Sequence, residues 1–174
     1  IRSLISDYNK IITEFGLNYS NASLLKRMAE LHAFYLDEKE TAIDLLGRLT
    51  PIRNVNKELL AEAKLVLGDI YILKNEPWEA ILIYAQVHKE NEYSPIAHLA
   101  KFKEAKLSYF IGEFELAKSH LDILKEATTK EIANDAIDLS VFIQDNSGLD
   151  TSYTALAEYS EIELLTFQNK LNEA

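Results

Sequence analysis

The chain has no cysteine and little proline or glycine, and each shortage excludes something. Without cysteine there is neither a disulfide framework nor a thiolate zinc site, and the absence fits a reducing or an oxidising compartment. Because 174 residues include only 3 Pro and 5 Gly, helices can run with few interruptions. The longest apolar run, AILIYA at 80–85, is far shorter than the ~20 residues of a membrane span, so none is expected.

Basic residues are scarce as well. The 18 Lys and Arg residues are outnumbered by 28 Asp and Glu, which gives a formal charge of −10. Nucleic acids and anionic membranes are bound by concentrated positive charge, so neither is expected as the main partner. A basic or peptide-like partner stays open.

What the chain does have is helical periodicity. Apolar residues recur at steps of three and four almost everywhere, and no sustained period-two run appears, which predicts an all-α fold. Helices are expected at about 1–15, 20–36, 40–50, 56–73, 77–90, 94–111, 114–126, 129–146 and 152–168.

Prolines and capping residues mark several helix starts. Pro77 and Pro95 stand in first turns, where a missing N–H costs nothing, and Ser94 is expected to cap the sixth helix. The other expected caps are Ser20 or Asn21 for the second helix, Thr128 or Thr129 for the eighth, and Asp150 or Thr151 for the ninth.

Three alanines define an internal repeat. Ala42, Ala80 and Ala117 are separated by 38 and then 37 residues, and each follows a polar turn. Bulky apolar residues come four and seven positions after each alanine: Leu46 and Leu49, Tyr84 and Val87, Leu121 and Leu124. A period in this range predicts stacked helical hairpins.

The repeat predicts one array over 1–174. Complete hairpins are expected at 20–50, 56–90 and 94–126, preceded at 1–15 by the second helix of a truncated hairpin. Over 129–174 the register breaks because an extra helix is inserted, and 167–174 repeats the turn that precedes an alanine. These partial copies predict that the chain is a fragment of a longer array.

The second hairpin carries the likeness to a known family. Leu67-Gly68, Tyr71, Asn75-Glu76, Ala80 and Tyr84 stand at the separations of the tetratricopeptide repeat signature, which this stretch resembles. In the third hairpin the same positions are occupied by Ala105, Ser108, Gly112-Glu113 and Ala117. The first hairpin matches more weakly, with Glu30, Ala33 and Ala42. The position of the signature tryptophan is occupied by lysine in all three hairpins: Lys26, Lys64 and Lys101.

The resemblance covers about 1–127 and implies an α-solenoid, a right-handed superhelix of antiparallel hairpins. The general character of the sequence, rather than any motif, leads us to expect a long bacterial repeat protein as the parent chain. The resemblance implies a partner on the concave face, lined by the first helix of each hairpin. The residues expected there are Leu24, Arg27, Leu31, Phe34, Tyr35, Glu62, Leu65, Asp69, Ile72, Leu99, Phe102, Lys106 and Tyr109.

Two interpretations of the aromatic residues among them stay open. Phe34, Phe102 and Tyr109 either pack between layers or contact an extended or amphipathic peptide. A clamp for a C-terminal carboxylate is not expected, because the family's Lys and Asn, four apart, are replaced by Arg27 with Leu31, Leu65 with Asp69, and Phe102 with Lys106.

The histidines and carboxylates form no catalytic pattern. None of the 4 His has a glutamate three residues before it, and HExxH, GxGxxG, GxSxG and the P-loop are absent from the sequence. His88 and His98 flank one helix junction and are the pair that could approach each other for a metal. No enzyme activity, cofactor or metal is expected.

The sequence therefore predicts a non-enzymatic scaffold that binds a protein or peptide. The alternative is a structural or regulatory spacer whose last two helices dock other domains of a larger protein. The start at Ile1 has helical periodicity rather than the pattern of a signal peptide. A cytoplasmic and a bacterial periplasmic location both fit, and oligomeric state stays open.

Overall fold

The computed structural model describes residues 1–126, 129–147 and 153–174, and the regular elements in these ranges are all helices. The all-α fold class is confirmed. The helices are α1 (Arg2–Phe15), α2 (Ser23–Tyr35), α3 (Lys39–Gly47), α4 (Lys57–Leu73), α5 (Pro77–Glu90), α6 (Pro95–Phe110), α7 (Phe114–Leu124), α8 (Lys130–Asp145) and α9 (Thr154–Phe167).

The predicted start of α6 is confirmed in detail. The Ser94 hydroxyl accepts a hydrogen bond from the backbone N–H of Ala97 at 3.3 Å and donates one to the carbonyl of Asn91 at 2.6 Å. Pro95 takes the first helical position, as Pro77 does in α5. The Ser94 side chain thus adds an acceptor for the Ala97 N–H, which also donates to the Ser94 carbonyl at 3.1 Å, and holds the incoming turn.

The start of α2 differs from the prediction that Ser20 or Asn21 caps it. The helix begins at Ser23, and its N-cap, Ala22, supplies no side-chain hydrogen bond. The Asn21 amide instead accepts from the backbone N–H of Asn18 at 2.9 Å and donates to the carbonyl of Gly16 at 2.8 Å. Asn21 holds the preceding turn, so its side chain cannot cap the helix as well.

Of the four residues predicted as caps for the last two helices, only Thr129 lies among the described residues. Thr129 is at the N-cap of α8, but its buried hydroxyl finds no hydrogen-bond partner among the described residues. The alternative cap Thr128 and the α9 candidates Asp150 and Thr151 lie outside the described residues. Within the described chain, α9 follows Tyr153, whose side chain makes no capping bond.

The repeat positions read from the sequence are packing positions. Ala42, Ala80 and Ala117 have no exposed surface. The six bulky apolar residues that follow them, Leu46, Leu49, Tyr84, Val87, Leu121 and Leu124, are buried as well. A residue without a long side chain at these three points allows helices to approach closely, and the bulky residues fill the remaining space.

The hairpin turns share one backbone conformation. Asp37, Asn75, Gly112 and Asn169 all have positive φ, between 58° and 81°. After each of the last three, the next backbone N–H donates at 2.9 Å to the carbonyl five residues back, which is the Schellman arrangement. The turn predicted within 167–174 therefore has the same geometry as the two complete copies before it.

A second series of left-handed residues lies between the hairpins. Gly16, Asn54 and Tyr93 have φ of 67°, 63° and 64° and are 38 and 39 residues apart. Because tyrosine seldom adopts this conformation, the left-handed backbone at Tyr93 could not be predicted from the sequence. The first and second complete repeats therefore each carry two left-handed positions, one inside the hairpin and one before the next hairpin.

The described chain separates into two compact units, Ile1–Ile83 and Tyr84–Ala174, with the boundary inside α5 and so inside the hairpin predicted at 56–90. In the first unit α2 packs against α1, α3 and α4, and α3 packs against α4. The core of this unit is formed by Ile5, Ala22, Leu25, Met28, Ala29, Ala33, Ala42, Leu45, Leu46, Leu49, Ala63, Val66, Ile70 and Leu73.

In the second unit α6 is the central element. It packs against α7, α8 and α9, and α7 also packs against α8. The extra helix that breaks the repeat register is thus part of the same compact unit as the third hairpin. Among all described residues, no helix combines the length and apolarity required to cross a membrane.

Candidate partner-binding grooves

An open groove of about 430 Å³ lies in the first unit between α1, α2 and α4. We call it the N-terminal groove. Tyr35 is its most accessible aromatic side chain, 68% exposed, beside Phe34 at 38%. Its lining consists of Leu4, Tyr8, Arg27, Glu30, Leu31, Phe34, Tyr35, Val66 and Asp69.

A second groove, of about 520 Å³, lies in the second unit between α6, α8 and α9. We call it the C-terminal groove. Aromatic rings and carboxylates dominate its lining, and Lys106 is the one basic residue among the described residues that form it. The lining consists of Phe102, Lys106, Tyr109, Asp135, Asp138, Leu139, Phe142, Tyr159 and Glu163.

Tyr109 joins the wall of the C-terminal groove to the core beneath it. Its side chain is fully buried, and its hydroxyl donates a hydrogen bond to Oε2 of Glu163 at 2.6 Å. Burial raises the pKa of the Tyr109 hydroxyl well above its ordinary value, and the bond to Glu163 raises it further. The hydroxyl therefore stays protonated and holds the Glu163 carboxylate in one orientation.

An aromatic cluster continues from Tyr109 into the second unit. The Tyr109 ring centroid lies 5.9 Å from Phe110, 5.8 Å from Phe114 and 6.3 Å from Phe142. The further ring pairs are Phe142 with Tyr159, Phe110 with Phe167, and Phe114 with Tyr153. For Tyr109 the structure decides between the two interpretations: its ring packs in the core.

The two grooves use matching positions of the repeat. Arg27, Leu31 and Phe34 of α2 line the N-terminal groove, and the residues at the same three marks of α6 are Phe102, Lys106 and Tyr109, which line the C-terminal groove. Eight of the thirteen residues predicted to face a partner fall in the two linings: Arg27, Leu31, Phe34, Tyr35, Asp69, Phe102, Lys106 and Tyr109.

The other five predicted residues line neither groove. Leu65 and Ile72 are buried, which corrects the expectation that they face a partner, because α4 turns these side chains away from solvent. Glu62 forms an ion pair with Lys26 at 2.6 Å. Leu24 is half-buried and Leu99 is 37% exposed.

Sequence reasoning missed the part of the C-terminal groove contributed by α8 and α9. Asp135, Asp138, Phe142, Tyr159 and Glu163 lie beyond the regular repeat, where no register predicts which face of a helix points inward. An i, i+3 pair of aspartates on a helix was visible in the sequence, but such pairs are most often plain solvated surface.

The histidines take part in local contacts. The His32 Nδ1 lies 2.5 Å from the Glu38 carboxylate, which also accepts from Arg2 at 3.0 Å. Burial lowers the pKa of His120, with further contributions from Lys101 and from His88, so His88 lies near His120. Nowhere in the described ranges do three His, Asp or Glu residues come together as a metal site.

No protein-family model, curated protein or solved structure matches the chain. What the grooves can do chemically follows from their side chains. Aromatic faces and apolar walls hold hydrophobic side chains, and carboxylates or an arginine at the rim orient a charged one. This combination suits the non-covalent binding of a peptide segment.

Proposed function

We propose that the chain is a non-enzymatic protein-interaction module, related to the tetratricopeptide repeat that its sequence resembles, which binds a protein or peptide segment in its grooves. The observation that carries the proposal is the recurrence of a groove at matching positions of α2 and α6. A surface that only needed to be solvated would have no reason to open twice at the same repeat marks.

The chemistry of the linings supports a peptide as the ligand. Volumes of about 430 and 520 Å³ fall in the range of ligand pockets and have room for a few side chains. Tyr35 and Tyr159 leave 68% and 48% of their surface exposed, although aromatic surface is normally buried. Exposed tyrosines beside charged residues are typical of binding surfaces.

Peptide selection tests the proposal directly. A random dodecapeptide library displayed on phage is panned against the immobilised chain, and enriched peptides are synthesised with a fluorescent label. Their Kd values are measured by fluorescence polarisation for the wild type, Tyr35→Ser and Tyr159→Ser. Loss of a central aromatic contact is expected to weaken binding of a peptide in that groove roughly tenfold or more.

Phe15→Ser is the matched control, because Phe15 is 67% exposed and lines neither groove. Its binding should equal that of the wild type. The proposal is wrong if no peptide is enriched, or if enriched peptides bind both tyrosine variants as tightly as the wild type.

A further inference from the structure

We propose that the C-terminal groove recognises a basic peptide segment, with an arginine or lysine side chain of the partner held between its carboxylates and its aromatic rings. The inference rests on the proposed function and adds the chemical class of the partner. It follows from the charges, the aromatic faces and the orientation of one carboxylate.

The charge of the groove is uncompensated. Asp135, Asp138 and Glu163 contribute three carboxylates against the single ammonium of Lys106. The Lys106 Nζ is placed over the ring of Phe110, 5.5 Å from its centroid. In the described part of the chain, neither Asp135 nor Asp138 has an ion-pair partner, so their charge is available to a ligand.

The carboxylates are placed for a guanidinium or an ammonium rather than a metal ion. Asp135 and Asp138 are three residues apart on α8 and exposed, so they share one side of the helix. Glu163 faces them from α9, with Oε2 engaged by Tyr109 and Oε1 open to accept. No three described carboxylates are close enough together to hold one metal ion, whereas a planar guanidinium offers five N–H donors over a wider span.

The rings supply the second half of the recognition. Tyr159 and Phe142 lie 5.4 Å apart between centroids, and Tyr159 is half-exposed. A cation over an aromatic face is attracted by the ring quadrupole, and Arg is the commoner partner in such pairs. The aliphatic stem of the same side chain gains apolar contact with Leu139 and Phe102, which also line the groove.

The N-terminal groove lacks this asymmetry. It contains Arg27 beside Glu30 and Asp69, and Glu30 already lies 3.8 Å from Lys26. Selectivity for a basic partner is therefore assigned to the second unit alone.

A pair of matched probes tests the inference. One is an end-blocked hexapeptide of alternating arginine and leucine, and the other replaces arginine by citrulline, which has nearly the same shape without the charge. Binding is measured at 0.15 M salt by fluorescence polarisation and mapped by amide shifts of the ¹⁵N-labelled chain. The arginine peptide is expected to bind at least about tenfold more tightly and to shift amides of α6, α8 and α9.

Because a chain of charge −10 attracts any cation, the variants must separate groove contacts from general attraction. Asp135→Asn with Asp138→Asn is expected to weaken the arginine peptide about 5–10-fold. Glu131→Gln with Asp145→Asn removes the same charge from α8 at exposed positions outside the groove, and should leave binding within twofold.

Three outcomes overturn the inference: citrulline binding as well as arginine, shifts confined to other helices, or equal losses in the two double variants. In each case peptides enriched by phage selection can still bind Tyr35 or Tyr159. The proposal of a peptide-binding module would then remain supported, whereas the proposal of a basic partner would be wrong. Failure of the selection as well would remove both.

Discussion

Gly112 is the residue where backbone conformation alone sets the cost of a substitution. Its φ is 81°, and a Cβ added there would meet no atom within 4 Å. Gly112→Ala is therefore expected to lower the free energy of unfolding by about 1 kcal/mol through left-handed strain without any clash. Gly112→Asn should recover most of the loss, because the equivalent turns use Asp37 and Asn75.

Urea unfolding measures both variants, and Gly47→Ala is the control. Gly47 is the last residue of α3, where an added Cβ also finds open space, but its φ is not positive. Alanine there should raise stability by up to about 1 kcal/mol. Equal effects of alanine at Gly47 and Gly112 would contradict the assignment of strain to the turn.

Glu38 gives the first hairpin turn a pH-dependent contact. His32 first, and then Arg2, lower the pKa of Glu38 below its ordinary value of 4.5. A carboxyl with a depressed folded pKa stabilises the fold above its unfolded pKa, and loses this contribution as the pH falls through the folded value. The difference in the free energy of unfolding between wild type and Glu38→Gln should therefore be largest above pH 4.5. It should shrink as the pH falls below that value.

Glu113→Gln separates this contact from general acid effects. Glu113 holds the equivalent turn position in the third hairpin, and its side chain forms no hydrogen bond within the described residues. Thermal unfolding from pH 7 to pH 2.5 should show a closing gap for Glu38→Gln and none for Glu113→Gln. A gap for Glu38→Gln that survived at pH 2.5 would refute the role of the ionised carboxylate.

At the scale of the element, the N-cap residues of α6 and α8 are expected to differ in how much they stabilise the fold. Ser94→Ala removes the bond to the first turn of α6 and should cost about 1 kcal/mol of unfolding free energy. Thr129→Ala removes a hydroxyl that has no partner among the described residues, so its cost should stay within about 0.5 kcal/mol. Chemical denaturation compares them, and similar losses would show that capping does not explain the difference.

The helices could be predicted wherever a local signal was unambiguous. Pro77, Ser94 and Pro95 act within one turn of their own position, so reading them needed no tertiary information. The start of α2 could not be predicted in the same way. Asn21 can form several local hydrogen bonds, and which one wins depends on the path of the chain from Gly16.

Only part of the grooves was predictable for a similar reason. The repeat spacing identified the corresponding positions of α2 and α6, because spacing alone decides which residues share a helix face. Whether such a residue is accessible depends on the next element: Tyr109 is fully buried, whereas Phe34 at the matching position of α2 is 38% exposed. The contribution of α8 and α9 lay outside the frame altogether.

For the whole molecule, the two series of left-handed residues predict that a repeat can be inserted. A second copy of residues 55–93, placed after Tyr93, would add one complete repeat, the stretch from Asn54 to Tyr93. The copy contains both left-handed positions of that repeat, Asn75 and Tyr93. If stability is a sum of terms between neighbouring repeats, mean residue ellipticity should not fall and the urea midpoint should not decrease.

The control for this insertion is the same copy with Asn75→Val in the inserted segment. A β-branched residue opposes positive φ, so the inserted hairpin should then be less stable than with asparagine. Loss of ellipticity per residue in the unmodified insertion would mean that the segment does not behave as an independent repeat.

The hydrogen bond from Tyr109 to Glu163 has a consequence for the growing chain. Its two ends are 54 residues apart, whereas a hairpin turn closes within five or six. At roughly 5–20 residues per second, a ribosome needs several seconds to deliver α9 after α6 has been made. During that interval the wall of α6 lacks Tyr159 and Glu163 of α9, so the C-terminal groove is completed only when synthesis has passed residue 163.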